Sequence, residues 1–164
     1  MTATTLGTAI VAARGRAGLI ANVVLLLIVT IGINGFLFAV GWAGPAADAR
    51  RMPMVPPGYV VGLIWTALLA LMGAARWLYV RSTGDSGWRS WAPFALAAVC
   101  IAYPFYTNGL KPGAPAFWGT VLTIAATLAA IFVLRQRDWR SPWLLLPTAC
   151  WGGYVVCVML AYPA

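Results

Sequence analysis

Charged side chains interrupt this chain so rarely that its apolar runs decide how it is read. Residues 17–47, 52–75, 90–110, 112–134 and 141–164 contain no Asp, Glu, Lys or Arg. A helix rising 1.5 Å per residue crosses a hydrocarbon core of about 30 Å in roughly 20 residues. Each run reaches that length. The pattern predicts an all-α fold, an integral membrane bundle of five transmembrane helices at about 18–42, 56–80, 91–108, 115–134 and 142–162. A short cytoplasmic tail, residues 1–16, precedes a single transmembrane domain, 17–164. The first run is too long for the apolar part of a cleavable signal peptide, so it is read as a span.

Punctuation between the runs agrees. Pro56-Pro57 opens the second segment, where a missing amide hydrogen has no intrahelical partner in any case. Ser82–Ser90 carries turn residues, with Gly84, Asp85 and Gly87 among them. Pro104 and Pro147 fall inside the third and fifth segments, where proline kinks a spanning helix and neighbours satisfy the freed carbonyl. The arginines set the orientation. Arg14, Arg16, Arg76, Arg81, Arg89, Arg135, Arg137 and Arg140 lie on one side, and Arg50, Arg51 and Lys111 on the other. Excess positive charge stays in the cytoplasm. The expectation is an integral protein of a bacterial inner membrane, N-terminus cytoplasmic and C-terminus periplasmic.

Composition then removes function classes. Only 9% of residues are charged and 62% are hydrophobic, whereas soluble domains carry about 25% charged residues. The net charge of +8 is spread through short loops rather than gathered on one folded face, so no nucleic-acid partner is expected. There is no histidine, and the acids are Asp48, Asp85 and Asp138, all in predicted loops. General acid–base catalysis and proton relays need a titratable group held within the fold, so the chain is not expected to be an enzyme. Cys100, Cys150 and Cys157 lack metal-ligand spacing and are read as small packing residues. The sequence requires no cofactor.

Eight of the nine tryptophans divide into two groups. Trp42, Trp77, Trp88, Trp91, Trp139 and Trp143 fall near predicted helix ends, where an indole satisfies both its ring and its N–H. Trp65 and Trp151 lie near mid-membrane, as packed interior rings or as walls of an aromatic pocket for a flat apolar ligand. Toward the less basic side, Arg51, Tyr59, Tyr103, Tyr106, Asn108, Lys111, Phe117 and Trp118 converge. A cation at the mouth of an aromatic cavity suits a large planar molecule with carboxylate arms; a snorkelling base among belt aromatics is the plainer reading. Gly58-x-x-x-Gly62, Gly73 and Gly152-Gly153 allow close helix approach or dimerisation.

Three segments carry a family likeness. Arg51-Met-Pro-Met-Val-Pro-Pro-Gly-Tyr59, continued through Trp65 to Met72-Gly73, resembles the second helix of the tryptophan-rich sensory protein / translocator protein family. Pro115-Ala-Phe117-Trp118-Gly119 is similar to the Pro-x-Phe-Phe-Gly entry to its fourth helix, and Pro147-x-x-x-Trp151 to a motif of its fifth. The resemblance implies an antiparallel five-helix bundle, often a homodimer, whose cavity takes a porphyrin or other tetrapyrrole, or a sterol-like lipid. It implies that Tyr59, Trp65, Phe117, Trp118 and Trp151 line that cavity, with Arg51 at its mouth. Tyr103 and Asn108 complete the candidate ligand-binding set. The chain departs from the pattern at Pro53, Met54, Gly113 and Met159, where the family carries aromatic or amide side chains. Expected partners are membrane lipids and a bound porphyrin, carotenoid or lipid, with a second copy or a larger, pigment-bearing membrane complex. In the alternative reading the chain is a non-catalytic structural or assembly subunit.

Overall fold

The computed structural model describes residues 7–8, 10, 12–13, 15–43, 54–107 and 113–162. Those residues form helices and turns and no strand. The helices are α1 (Gly15–Ala39), α2 (Gly58–Thr83), α3 (Ala92–Tyr106), α4 (Ala114–Arg135) and α5 (Leu146–Ala161). Short 3-10 helices, Trp88–Trp91 and Ser141–Leu145, lead into α3 and α5. Four stretches are long and apolar enough to cross a membrane: α1, α2, α4 and the 21 residues of Ser141–Ala161. The α3 helix has 15 residues, short of the roughly 20 that a span needs.

The helix ends follow local chemistry that hydropathy does not register. The α1 helix stops at Ala39 rather than near Trp42 because Gly41 takes a left-handed φ of 72°. The Trp42 amide then donates to the Leu37 carbonyl at 2.9 Å and the Gly41 amide to Phe38 at 3.1 Å, the paired bonds of a Schellman cap. The α2 helix runs on past Val80 to Thr83, where Gly84 at φ 71° closes it with a bond to the Val80 carbonyl. Pro147 lies in the first turn of α5, not inside a helix, because the preceding turn is 3-10. It therefore breaks no hydrogen bond inside an α-helix, and the expected mid-helix proline is instead a helix-opening one. Pro104 does lie inside α3.

The α2 helix is the axis of the packing. It contacts α1 most extensively and also meets α3 and both 3-10 turns. At Gly73 a Cβ atom would stand 2.7 Å from the Asn22 carbonyl oxygen, so α1 and α2 approach this closely only because Gly73 has no side chain. The buried residues of α2 are Leu68, Leu69, Met72, Gly73, Ala75, Arg76, Tyr79 and Val80. They run from the middle of the helix to its C-terminal end, and Leu69, Met72, Ala75, Tyr79 and Val80 join Leu96, Ala97, Cys100, Ala130, Leu134 and Leu145 in the core. The first turns of α2 bury nothing fully. The α2 helix is thus tightly packed toward the arginine-rich end and splayed from α5 at the other.

Two sequence readings change at the tight end. Arg76, counted above among the arginines outside the apolar runs, is 0% exposed. The segment ahead of α1 is more than a tail: Ala13 is fully buried, and the Ile10 carbonyl accepts hydrogen bonds from Asn22 and Arg76.

Candidate functional site

The splay has a direct geometric result. The α2 helix packs on the Ser141–Leu145 turn but scarcely touches α5 beyond it, so the two helices part toward the N-terminal end of α2. Between them lies an open groove of about 510 Å³, lined by Pro56, Ile64, Leu68, Pro147, Cys150, Trp151 and Tyr154. Drug-sized ligands occupy clefts of about 300–1,000 Å³. The lining contains no charged residue. Trp151 and Tyr154 stack at a tilt, with ring centroids 5.5 Å apart and planes at 30°. The Tyr154 hydroxyl donates to the Met54 carbonyl, tying the entry to α2 against α5 at the mouth. The chemistry on offer is an apolar slot with one stacking face, a thiol and an indole.

The sequence-derived candidates do not form one cavity wall. Trp151 lies in the groove. Trp65, next to the groove residue Ile64, turns instead toward the core, its ring centroid 6.4 Å from that of Tyr103 on α3. The Tyr103 hydroxyl is taken up by Thr120 Oγ1 at 2.9 Å and the Ala116 carbonyl at 3.1 Å, both on α4. Those bonds pin α3 to α4, which is a structural duty. Phe117 and Trp118 meet edge to face at 5.4 Å, yet Trp118 is 66% exposed. Tyr59 is 62% exposed and is absent from the groove lining. Arg51, Asn108 and Lys111 lie outside the described residues.

What residue reasoning missed is the partner wall. Ile64 and Leu68 lie one turn apart on a face of α2, with Pro56 just ahead of that helix, and Pro147, Cys150, Trp151 and Tyr154 recur along one face of α5. Spacings of three and four do place such residues together, but nothing in hydropathy tells which neighbour a face lacks. Cys150 and Cys157, expected as packing residues, are exposed, while Cys100 is buried.

The end tryptophans also divide. Trp88, Trp139 and Trp143 are exposed, and Arg89 and Arg140 stand over the Trp88 and Trp139 rings at 4.9 and 5.4 Å. Trp77 donates its indole N–H to the Gly15 carbonyl at 2.8 Å, and Trp91 packs beneath Arg76. These two brace the bundle.

A helical bundle with four membrane-length stretches and an uncharged groove along two of them defines an integral membrane protein. The TspO/MBR family model matches residues 17–163, nearly the whole chain, and the protein belongs to that family. It is similar to Translocator protein 2 of Mus musculus, with 25% identity over 109 residues, covering 63% of this chain and 67% of the relative. No solved structure gives a significant match.

Proposed function

We infer that this protein binds a porphyrin, another tetrapyrrole, or a related apolar pigment or lipid in the groove between α2 and α5, in sensing, handling or transport of that ligand. The observation that carries the reading is the position of Trp151. The residue that matches the family's fifth-helix motif is also a wall of the uncharged groove. The stacked Trp151–Tyr154 pair offers a flat face to a conjugated ring. The reading is one of binding rather than catalysis, in keeping with a chain that has no histidine.

In this reading all five helices cross the bilayer. The α3 helix, lengthened by the Trp88–Trp91 turn, packs against α2 and α4, which are themselves of spanning length. The arginine-rich ends face the cytoplasm of a bacterial inner membrane, and a second copy completes the assembly. Protoporphyrin IX added to the purified protein is expected to quench tryptophan fluorescence saturably, and Trp151→Ala to weaken that binding about tenfold, the scale of one lost stacking contact. Quenching that never saturates and ignores Trp151 would remove the reading.

A second reading, a non-catalytic assembly subunit of a larger membrane complex, is favoured by Tyr59 and Trp118. Both are well exposed although the family motif places them at a ligand. Purification in mild detergent separates the two readings: a subunit elutes with its complex, a ligand-binding homodimer without one.

A further inference from the structure

The arginine-rich end carries more positive charge than its own acids meet. Asp85 Oδ1 accepts the Gly87 amide at 2.7 Å, and Oδ2 the Tyr79 hydroxyl at 3.4 Å. Asp138 accepts the Arg140 and Ser141 amides at 3.2 and 2.8 Å. Both carboxylates thus shape turns, and among the described residues neither stands in an ion pair with an arginine. Arg16, Arg81, Arg135, Arg137 and Arg140 are exposed around them.

Two of the arginines converge from different turns. The Trp88–Trp91 turn, which carries Arg89, packs against both α2 and α4. Arg137 follows closely on the end of α4 at Arg135. Both guanidinium groups stand close enough to the Tyr79 hydroxyl to act on it electrostatically. Arg89 is half-buried, its guanidinium carbon 4.9 Å from the centroid of the Trp88 ring. Stacking of this kind holds the guanidinium plane while its N–H edge stays available. Its Nε is shielded from solvent and has no hydrogen-bond acceptor. A shielded donor left without an acceptor is costly, most of all on a charged group, so an acceptor here has something to satisfy.

We propose that Arg89 and Arg137 together seat the phosphodiester of an anionic phospholipid. Phosphate matches the guanidinium fork, and an ionised oxygen bonds it about twice as strongly as a neutral one. Depth points to a lipid as the source. The α2 and α4 helices end here and the Ser141–Ala161 stretch begins here, all three of membrane-spanning length. Trp88, Trp139 and Trp143 are well exposed at the same level. Exposed indoles at the ends of spanning helices lie among the headgroups, and there the oxyanion at hand is a phosphodiester. Arg81, Arg135 and Arg140 add a field that gathers anionic lipid. The seat is separate from the groove and does not depend on what the groove binds.

The test titrates the full chain, purified in detergent, with dihexanoyl phosphatidylglycerol and follows the rise in its thermal midpoint. About 0.3 M salt screens any attraction not made in contact. Arg89→Gln combined with Arg137→Gln should respond only at about hundredfold higher lipid concentration, the scale of two charge-assisted bonds. Arg16→Gln combined with Arg135→Gln removes the same charge from the same end and should shift the response less than about threefold. Equal losses in the two pairs would leave only a diffuse positive field and overturn the proposal. Dihexanoyl phosphatidylcholine, which is zwitterionic, should act at least about tenfold more weakly. Equal potency of that lipid, or of inorganic phosphate alone, would overturn the anionic headgroup as the occupant. If the glutamine pair at the seat does not fold, Arg89→Lys with Arg137→Lys keeps the charge and loses the fork. An unchanged response in that pair overturns the proposal equally.

Discussion

Gly73 shows how much one hydrogen atom decides here. Its missing side chain lets α1 and α2 meet at the Asn22 carbonyl, 2.7 Å from where a Cβ would stand. That neighbour is backbone and cannot swing away. Gly73→Ala should cost about 1–3 kcal/mol as overpacking, measured by unfolding in detergent. Gly153, with nothing within 4 Å of its would-be Cβ, is the control: Gly153→Ala should be neutral or slightly stabilising, since alanine favours the helix. Asp138 makes a pH prediction. Burial alone would raise its carboxyl, but hydrogen bonds from Ser141 and the Arg140 amide outweigh that and hold it below the ordinary 3.8. A carboxylate held below its unfolded value stabilises the fold above that value and ceases to do so as pH falls through the lower, folded one. Stability should therefore be flat above about pH 4 and drop below it, and Asp138→Asn should flatten that drop in a thermal scan against pH.

At the level of elements, the caps and prolines separate what is local from what is tertiary. Gly41→Ala should destabilise by about 1 kcal/mol, because the Schellman cap needs a left-handed residue; a thermal scan reads it directly. Pro147→Ala should leave the midpoint nearly unchanged, since that proline opens α5, while altering ligand affinity through the groove it lines. Uninterrupted apolar runs made the helices legible because the bilayer sets their length. Their ends were less so: Gly41, Gly84 and the Ser141–Leu145 turn act through backbone geometry, which hydropathy averages away. Trp151 was legible through its motif. Cys150 and Tyr154 were not, because their role depends on α5 parting from α2. Arg76 was misplaced for a related reason. A charge near a helix end looks like an edge residue until Asn22, Ile10 and Trp91 arrive from elsewhere in the chain to bury it.

The α2 helix is asymmetric from end to end, buried from its middle to its C-terminal end and parted from α5 over its first turns. The arginines follow the buried end, and orientation should follow the arginines. A reporter enzyme active only in the periplasm is expected to work when fused after Ala164 and to fail when fused near Gly84; the reverse result would invert the topology.

The groove between α2 and α5 is open and lies along two stretches of membrane-spanning length. A ligand of the proposed kind would arrive there as a solute of the bilayer, having left water before it meets the protein. Its affinity is then a competition with surrounding acyl chains and is set by mole fraction in the membrane, not by molarity in the buffer. Diluting a fixed amount of ligand into twice as much lipid should roughly double the apparent dissociation constant. Occupancy would thus report how crowded the membrane is with that ligand, whatever the aqueous phase contains.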